Sequence, residues 1–461
     1  MTLPDAAPLG LLMFLAVFLV LPFGFPVAFT LIGTALAFGV IGWLFAGFDL
    51  SLVALLPLRA VGLMENDLLQ AIPLFVYLGV IMQRTTLARE LLEAMAGLFG
   101  RRPGGLGLSA LLLGALLAPT TGAVGATVLT LGLLVLPNML HAGYNRRFAA
   151  GLVCGAGTLG TVLPPSIILI VLADLMRGAN AEGQTLGGSA VSGSLPVKDI
   201  YLGMLMPVGI ILVGYLLYVL YVVWRRPDWC PPADLADAPE RIRVSNWRLA
   251  VIILVPLTFI VLLLASIVTG RIYAVEAAAL GAIAATVYAL VRRELTLARL
   301  AETVRMVMQL TGMMFALLLG ASVFTLIFRG FGSDRLVHQL LAQMPGGLAG
   351  AMAAVFGVAF IFGFFLDALE ILLLVVPIAI PSLIALGADP IWLAVLLAIT
   401  VQTSFLMPPT GFALFFLRSV APPELTTADI YRGAPPFIAI QLVVLALLVV
   451  FPALATWLPK G

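Results

Sequence analysis

The chain has 461 residues, of which 62% are hydrophobic and only 10% charged, and its net charge is +2. So few charges cannot cover a water-soluble fold of this size, and there is no basic excess to attract nucleic acid; the composition specifies an integral membrane protein set in a lipid bilayer. Two cysteines, two histidines and two lysines without a Gly-rich phosphate loop argue against a disulfide frame, a His-rich metal site and ATP-driven work.

Met1–Gly10 carries no Lys or Arg, so the apolar run 9–22 lacks the basic start of a cleaved signal and reads as mature membrane structure. Stretches long enough to cross about 30 Å of hydrocarbon fall at 27–48, 67–83, 200–224, 249–269, 272–291, 308–328 and 434–457. Four other apolar runs are too long, or too interrupted by Gly, Pro and polar residues, to be single spans. They predict re-entrant hairpins at 105–140 and 346–386, and broken helices at 148–176 and 391–420. A bilayer tolerates such irregular backbone only where protein or a wet cavity surrounds it. Segments 294–305 and 334–343 have the pattern of short amphipathic helices at the interface, or of ordinary loop helices. A polar linker, 227–246, divides the chain into 1–226 and 247–461. Arginines cluster at 84–102, 146–147, 225–248 and 292–305, which the positive-inside rule places in the cytoplasm; the termini, 177–197 and 270–271 then face out.

The halves repeat. Pro137, Gly143 and Pro164-Pro165-Ser166 are answered by Pro381, Gly387 and Pro408-Pro409-Thr410 at a single shift of 244 residues. Asp199-Ile200-Tyr201 and Gly203 are answered by Asp429-Ile430-Tyr431 and Gly433 at a shift of 230. The arginine pattern runs the two halves in opposite directions, so the expected fold is all-α with two inverted repeats, an arrangement found in secondary transporters. A proline pair in mid-membrane frees carbonyls from helical bonding, and free carbonyls beside hydroxyls suit a hard cation such as Na⁺. Thr158, Thr161 and Ser166 flank the first break; Thr400, Gln402, Thr403, Ser404 and Thr410 flank the second. Back-bonding of these hydroxyls to their own helices is the competing reading. Asp367 and Glu370, three apart at the second hairpin tip, either supply charge for a cation or cap a half-helix. Arg418 either meets a carboxylate cargo or reaches the interface.

The stretch from Gly157 through Thr158-Leu159-Gly160-Thr161-Val162-Leu163 to Pro164-Pro165-Ser166 resembles the first-half signature of the large membrane subunit of TRAP transporters (the DctM type). Phe365-Leu366-Asp367, Pro408-Pro409-Thr410-Gly411 and Asp429-Ile430-Tyr431-Arg432-Gly433-Ala434 resemble its second-half signature, and the likeness covers nearly the whole chain. It implies a scaffold carrying a transport domain of two hairpins and two broken helices. It also implies elevator-type, sodium-coupled import of an organic acid across the bacterial inner membrane. The implied partners are a small four-helix membrane subunit and a periplasmic substrate-binding protein that delivers the carboxylate. By position, the first Na⁺ site would use Thr121, Gly160 and the carbonyls around Leu163 and Pro164. The second would use Gly363, Asp367, Thr400 and the carbonyls around Met407 and Pro408. Thr158, Ser166, Glu370, Gln402, Thr410 and Arg418 are then the candidates to touch the cargo. Two departures stand out. Thr121-Gly122-Ala123-Val124 occupies the first tip, where the family often has Ser-Gly-Ser-Ser, and Asp367-Ala368-Leu369-Glu370 the second, where it often has Asp-Pro-Thr. The alternatives are a stand-alone Na⁺/dicarboxylate symporter of the same superfamily and a membrane scaffold that transports nothing.

Overall fold

The computed structural model describes residues 6–99, 102–121, 124–188, 195–232, 254, 257–258, 261–269 and 272–460. Its described residues form helices and connecting turns, with no strand among them. The elements are α1 (Ala7–Val20), α2 (Val27–Ala46), α3 (Leu56–Met64), α4 (Ala71–Arg84), α5 (Leu87–Phe99), α6 (Gly105–Thr121), α7 (Val124–Leu134) and α8 (Leu136–His141). They continue with α9 (Arg146–Thr158), α10 (Ile167–Leu186), α11 (Val197–Arg225), α12 (Ala274–Val291), α13 (Leu297–Gly330) and α14 (Ser333–Ala342). The last are α15 (Leu348–Phe362), α16 (Ala368–Ala385), α17 (Pro390–Ser404), α18 (Phe412–Val420), α19 (Thr427–Gly433), α20 (Pro435–Val450) and α21 (Ala453–Lys460).

Helices α6–α8 and α15–α16 are the two hairpins; α9–α10 and α17–α18 are the two broken helices. Each proline pair falls inside its break, after a turn that ends α9 at Thr158 and α17 at Ser404. Among the described residues seven helices, α20 extended back to Thr427 and α7 forward to His141, are long and apolar enough to cross a membrane. Outward-facing apolar side chains such as Phe45 (84% exposed) and Leu297 (88%) fit a chain solvated by lipid rather than water.

Three expectations need correction. The amphipathic segment 294–305 is not separate: 297–330 carries no proline, and it forms one 34-residue helix, α13, about 51 Å long at 1.5 Å per residue. The polar stretch after 176 is not wholly loop, because α10 runs on to Leu186. The final span is two helices, since Pro452 lacks the N–H that would carry α20 into α21. Most of 249–260, and the linker from 233 on, lie outside the described residues.

The shift of 244 reappears in the geometry. Asn145 caps α9 by accepting from Arg147 and Phe148 N–H, and Asp389 caps α17 by accepting from Ile391 and Trp392 N–H. Chain reversals at Gly143 and Gly387 both take positive φ, +83° and +97°, which glycine adopts without a Cβ clash. Contacts between the copies are reciprocal. The α19 glycine, Gly433, lies against the Arg147 carbonyl of α9, while its counterpart Gly203 in α11 lies against Ile391 of α17. Likewise α7 packs on α18 and α16 packs on α10. Finally, Gln402 Nε2 donates to Thr158 Oγ1 at 3.4 Å, and these two residues are themselves 244 apart. Reciprocal contacts, with one equivalent pair touching itself, are what a two-fold relation between copies produces.

Candidate functional site

At the first break, Thr158 Oγ1 donates to the Gly155 carbonyl and Thr161 Oγ1 to that of Thr158, each at 2.9 Å. Ser166 Oγ lies 3.2 Å from the Gly160 carbonyl and 3.3 Å from that of Thr161, so it cross-links the turn. Thr403 and Ser404 at the second break back-bond to Ile399 and Val401 at 2.7 and 2.6 Å. These hydroxyls therefore take the back-bonded arrangement. Thr400 does not. Its Oγ1 is buried, the residue is 2% exposed, and the hydroxyl has no partner among the described residues.

The face of α17 that carries Thr400 meets the second hairpin tip at Ser404. Thr400 and Ser404 are one turn apart and share a face of α17. Gly363 presses on that face so closely that a Cβ there would lie 1.7 Å from Ser404 Oγ. Beyond Gly363 the chain turns into α16 through a capping box: the Asp367 carboxylate takes the N–H of Glu370, and Glu370 Oε2 takes that of Asp367 at 3.0 Å. This is the capping role the sequence left open for the pair, and it orients both carboxylates. Carbonyls also gather at the break: a Cβ on Gly411 would lie 2.5 Å from the Phe405 oxygen and 2.8 Å from that of Met407. Among the described residues, no hydrogen bond ends on the carbonyl of Leu163, Pro164 or Pro408, while that of Met407 accepts Gly411 N–H at 3.0 Å. Two tyrosines at the 230 shift brace the breaks: Tyr201 donates to the Ser166 carbonyl at 3.5 Å and Tyr431 to that of Pro409 at 2.6 Å.

Next to this tip lies a cavity of about 940 Å³. One wall comes from α2, α4 and α13, with Phe29, Gln83 and Met313. The other comes from α7, the starts of α10, α16 and α18, and the second tip. Asp367 and Glu370 line it. Thr158, Ser166 and Gln402 do not: all three are fully buried, and Thr158 and Gln402 sit in a polar knot with Gln441 and Tyr215. Thr410 is exposed outside the lining. Arg418, also outside it, donates to the Leu425 carbonyl at 2.6 Å. Gly160 and Gly363 are buried at the two breaks. The Thr121 side chain lies outside the described residues. Sequence reading missed Gln83 and the wall of α13; a lone glutamine near the end of apolar α4 was the available signal for the first.

A family model described as "Tripartite ATP-independent periplasmic transporter, DctM component" matches residues 12–454. The chain belongs to that family. Among similar DctM-family proteins is the C4-dicarboxylate TRAP transporter large permease protein DctM of Pseudomonas aeruginosa, 28% identical over 86% of this chain and 87% of that one. Another is the ectoine/5-hydroxyectoine TRAP transporter large permease protein UehC of Ruegeria pomeroyi, 26% identical over 96% and 97%. The fold is also like that of the YdaH transporter of Alcanivorax borkumensis, with a TM-score of 0.58 at 16% identity, covering 98% of each chain. It is like MtrF of Neisseria gonorrhoeae, with a TM-score of 0.60 at 13% identity over 87% of this chain and 83% of that one. This DctM component is thus a multi-pass permease subunit of a bacterial transporter, not an enzyme.

Proposed function

We propose that this permease couples the inward movement of Na⁺ to the import of an organic acid across the bacterial inner membrane. A periplasmic binding protein delivers the acid, and a small four-helix membrane subunit completes the assembly. The observation that carries the reading is the unpartnered, buried hydroxyl of Thr400. A buried hydroxyl left without a partner costs about 1–3 kcal/mol, and a cation relieves that cost. On this reading Thr400, Asp367 and the Met407 and Pro408 carbonyls would supply a hard-oxygen set suited to Na⁺. The first break, with Gly160 and the Leu163 and Pro164 carbonyls, is the weaker counterpart: Ala156 and Gly160 stand where the second has Thr400 and Ser404.

The cavity supports an elevator movement. One of its walls is the pair of hairpins and broken helices, and the other is α2, α4 and α13, so displacement of the first past the second would carry a solute held between them. The test is uptake into proteoliposomes holding the permease and its small subunit, with loaded binding protein outside. An inward Na⁺ gradient should drive accumulation of an organic acid, and K⁺ in its place should not. Accumulation without the binding protein would overturn the tripartite reading in favour of a stand-alone symporter. Sodium-independent accumulation would overturn the coupling.

A further inference from the structure

We propose that Glu370 is a specificity-determining residue and that it selects a cargo bearing a positively charged nitrogen besides its carboxylate. The inference rests on the reading of the 940 Å³ cavity as the cargo site and adds a class of cargo to it.

Two carboxylates, Asp367 and Glu370, line the cavity, and no Lys, Arg or His does so among the described residues. The first tip, 118–123, contains no basic residue in its sequence either. Neither carboxylate belongs to an ion pair of the described residues. The two are differently placed for an ion. Asp367 precedes α16 at the tip that carries Gly363, which presses on the second break. Glu370 lies one turn into α16 and spends one oxygen on the Asp367 N–H, and its other oxygen takes no hydrogen bond among the described residues. The cavity is lined otherwise by aliphatic side chains, by Gln83 and by the phenyl rings of Phe25, Phe29, Phe412 and Phe416, the last two from the wall that carries Glu370. A carboxylate in a cavity that also presents phenyl rings, with no cation in the lining among the described residues, is the chemistry that holds an ammonium group, by charge and by attraction to ring quadrupoles. A cargo that is only anionic would instead meet like charge there.

The experiment uses permease with its small subunit in lipid nanodiscs containing Na⁺, and three chain-matched pairs: β-alanine with succinate, 4-aminobutyrate with glutarate, and 6-aminohexanoate with pimelate. In each pair a second carboxylate replaces the ammonium. Calorimetric titration at millimolar concentration is expected to find at least one amino acid bound about tenfold more tightly than its diacid, a difference of about 1.4 kcal/mol. Glu370→Gln is expected to erase that preference and Glu370→Asp to retain most of it. The glutamine oxygen can still accept the Asp367 N–H, so the cap survives, and an unchanged melting temperature checks this. Equal or tighter binding of the diacids, or a preference untouched by Glu370→Gln, overturns the inference alone. A Glu370→Gln variant altered in Na⁺ affinity but not in cargo preference makes Glu370 an ion ligand and also overturns it. If none of the six binds, the cavity is not the cargo site, and the reading beneath the inference falls with it.

Discussion

Replacing Asp367 separates its two roles. As the cap of α16 it takes the Glu370 N–H; as an ion ligand it would add negative charge beside Thr400. Asparagine keeps a capping oxygen and ranks with aspartate as a cap, whereas alanine loses it at about 1 kcal/mol. Loss of a charged ligand is larger, about 1.5–3 kcal/mol, which converts to about 10- to 150-fold at 1.4 kcal/mol per decade. Asp367→Asn is therefore expected to leave thermal stability nearly unchanged and to raise the half-saturating Na⁺ concentration by that factor. Asp367→Ala is expected to do both kinds of damage. Sodium titrations of proteoliposome uptake, paired with melting curves in detergent, give the two readings independently. If Asp367→Asn transports with Na⁺ half-saturation within about twofold of the parent while Asp367→Ala melts early, the carboxylate is a cap and nothing more, and the ion site must be drawn without it.

Gly363→Ala places a methyl 1.7 Å from Ser404 Oγ; it is expected to cost about 1–3 kcal/mol by overpacking and to lower uptake. Adding Ser404→Gly, the residue found at the equivalent position 160, should restore part of both; strict additivity in melting and uptake would refute direct tip-to-break contact. Arg418→Ala removes the bond to the Leu425 carbonyl and is expected to lower stability by about 1 kcal/mol with the cargo KM nearly unchanged; lost uptake in a folded variant would return Arg418 to the cargo site. Arg329 of α13 pairs with Glu182 of α10 at 2.5 Å and donates to the Pro377 carbonyl of α16 at 3.1 Å, so it ties one cavity wall to the elements of the other. Glu182→Gln is expected to shift the distribution of spin-label distances between α13 and α16 by about fivefold in population, the effect of about 1 kcal/mol for a partly exposed pair; an unchanged distribution would show that the two elements do not separate there.

The proline pairs were legible because two adjacent prolines remove two N–H donors from one turn, whereas single prolines, Pro207 in α11 and Pro377 and Pro381 in α16, are carried inside their helices. Asp367 and Glu370 stand at the spacing of a capping box, which was one of the two roles their sequence left open, and they open α16. Misreading began where a boundary was inferred from charge alone. Arginines at 299 and 305 suggested a surface helix separate from the span at 308–328, yet nothing between 297 and 330 obliges the backbone to stop, and α13 runs through. The direction of each hydroxyl around its helix axis is a different kind of information, set by the neighbours of the helix and not by the residues themselves. Thr158 and Gln402 looked like pocket residues because they sit beside the breaks, but α9 and α17 are rotated so that both turn inward to meet each other. The repeat could have warned of this. Under a two-fold relation, equivalent residues touch only on the axis, and residues on the axis between two closely packed copies are shielded from a cavity at the rim. Thr400, one half-turn before Gln402, shares the helix face of Ser404, which meets the hairpin tip. The difference between a shared core and the proposed ion site is thus a rotation of about 200° along α17, which no local pattern of hydroxyls records.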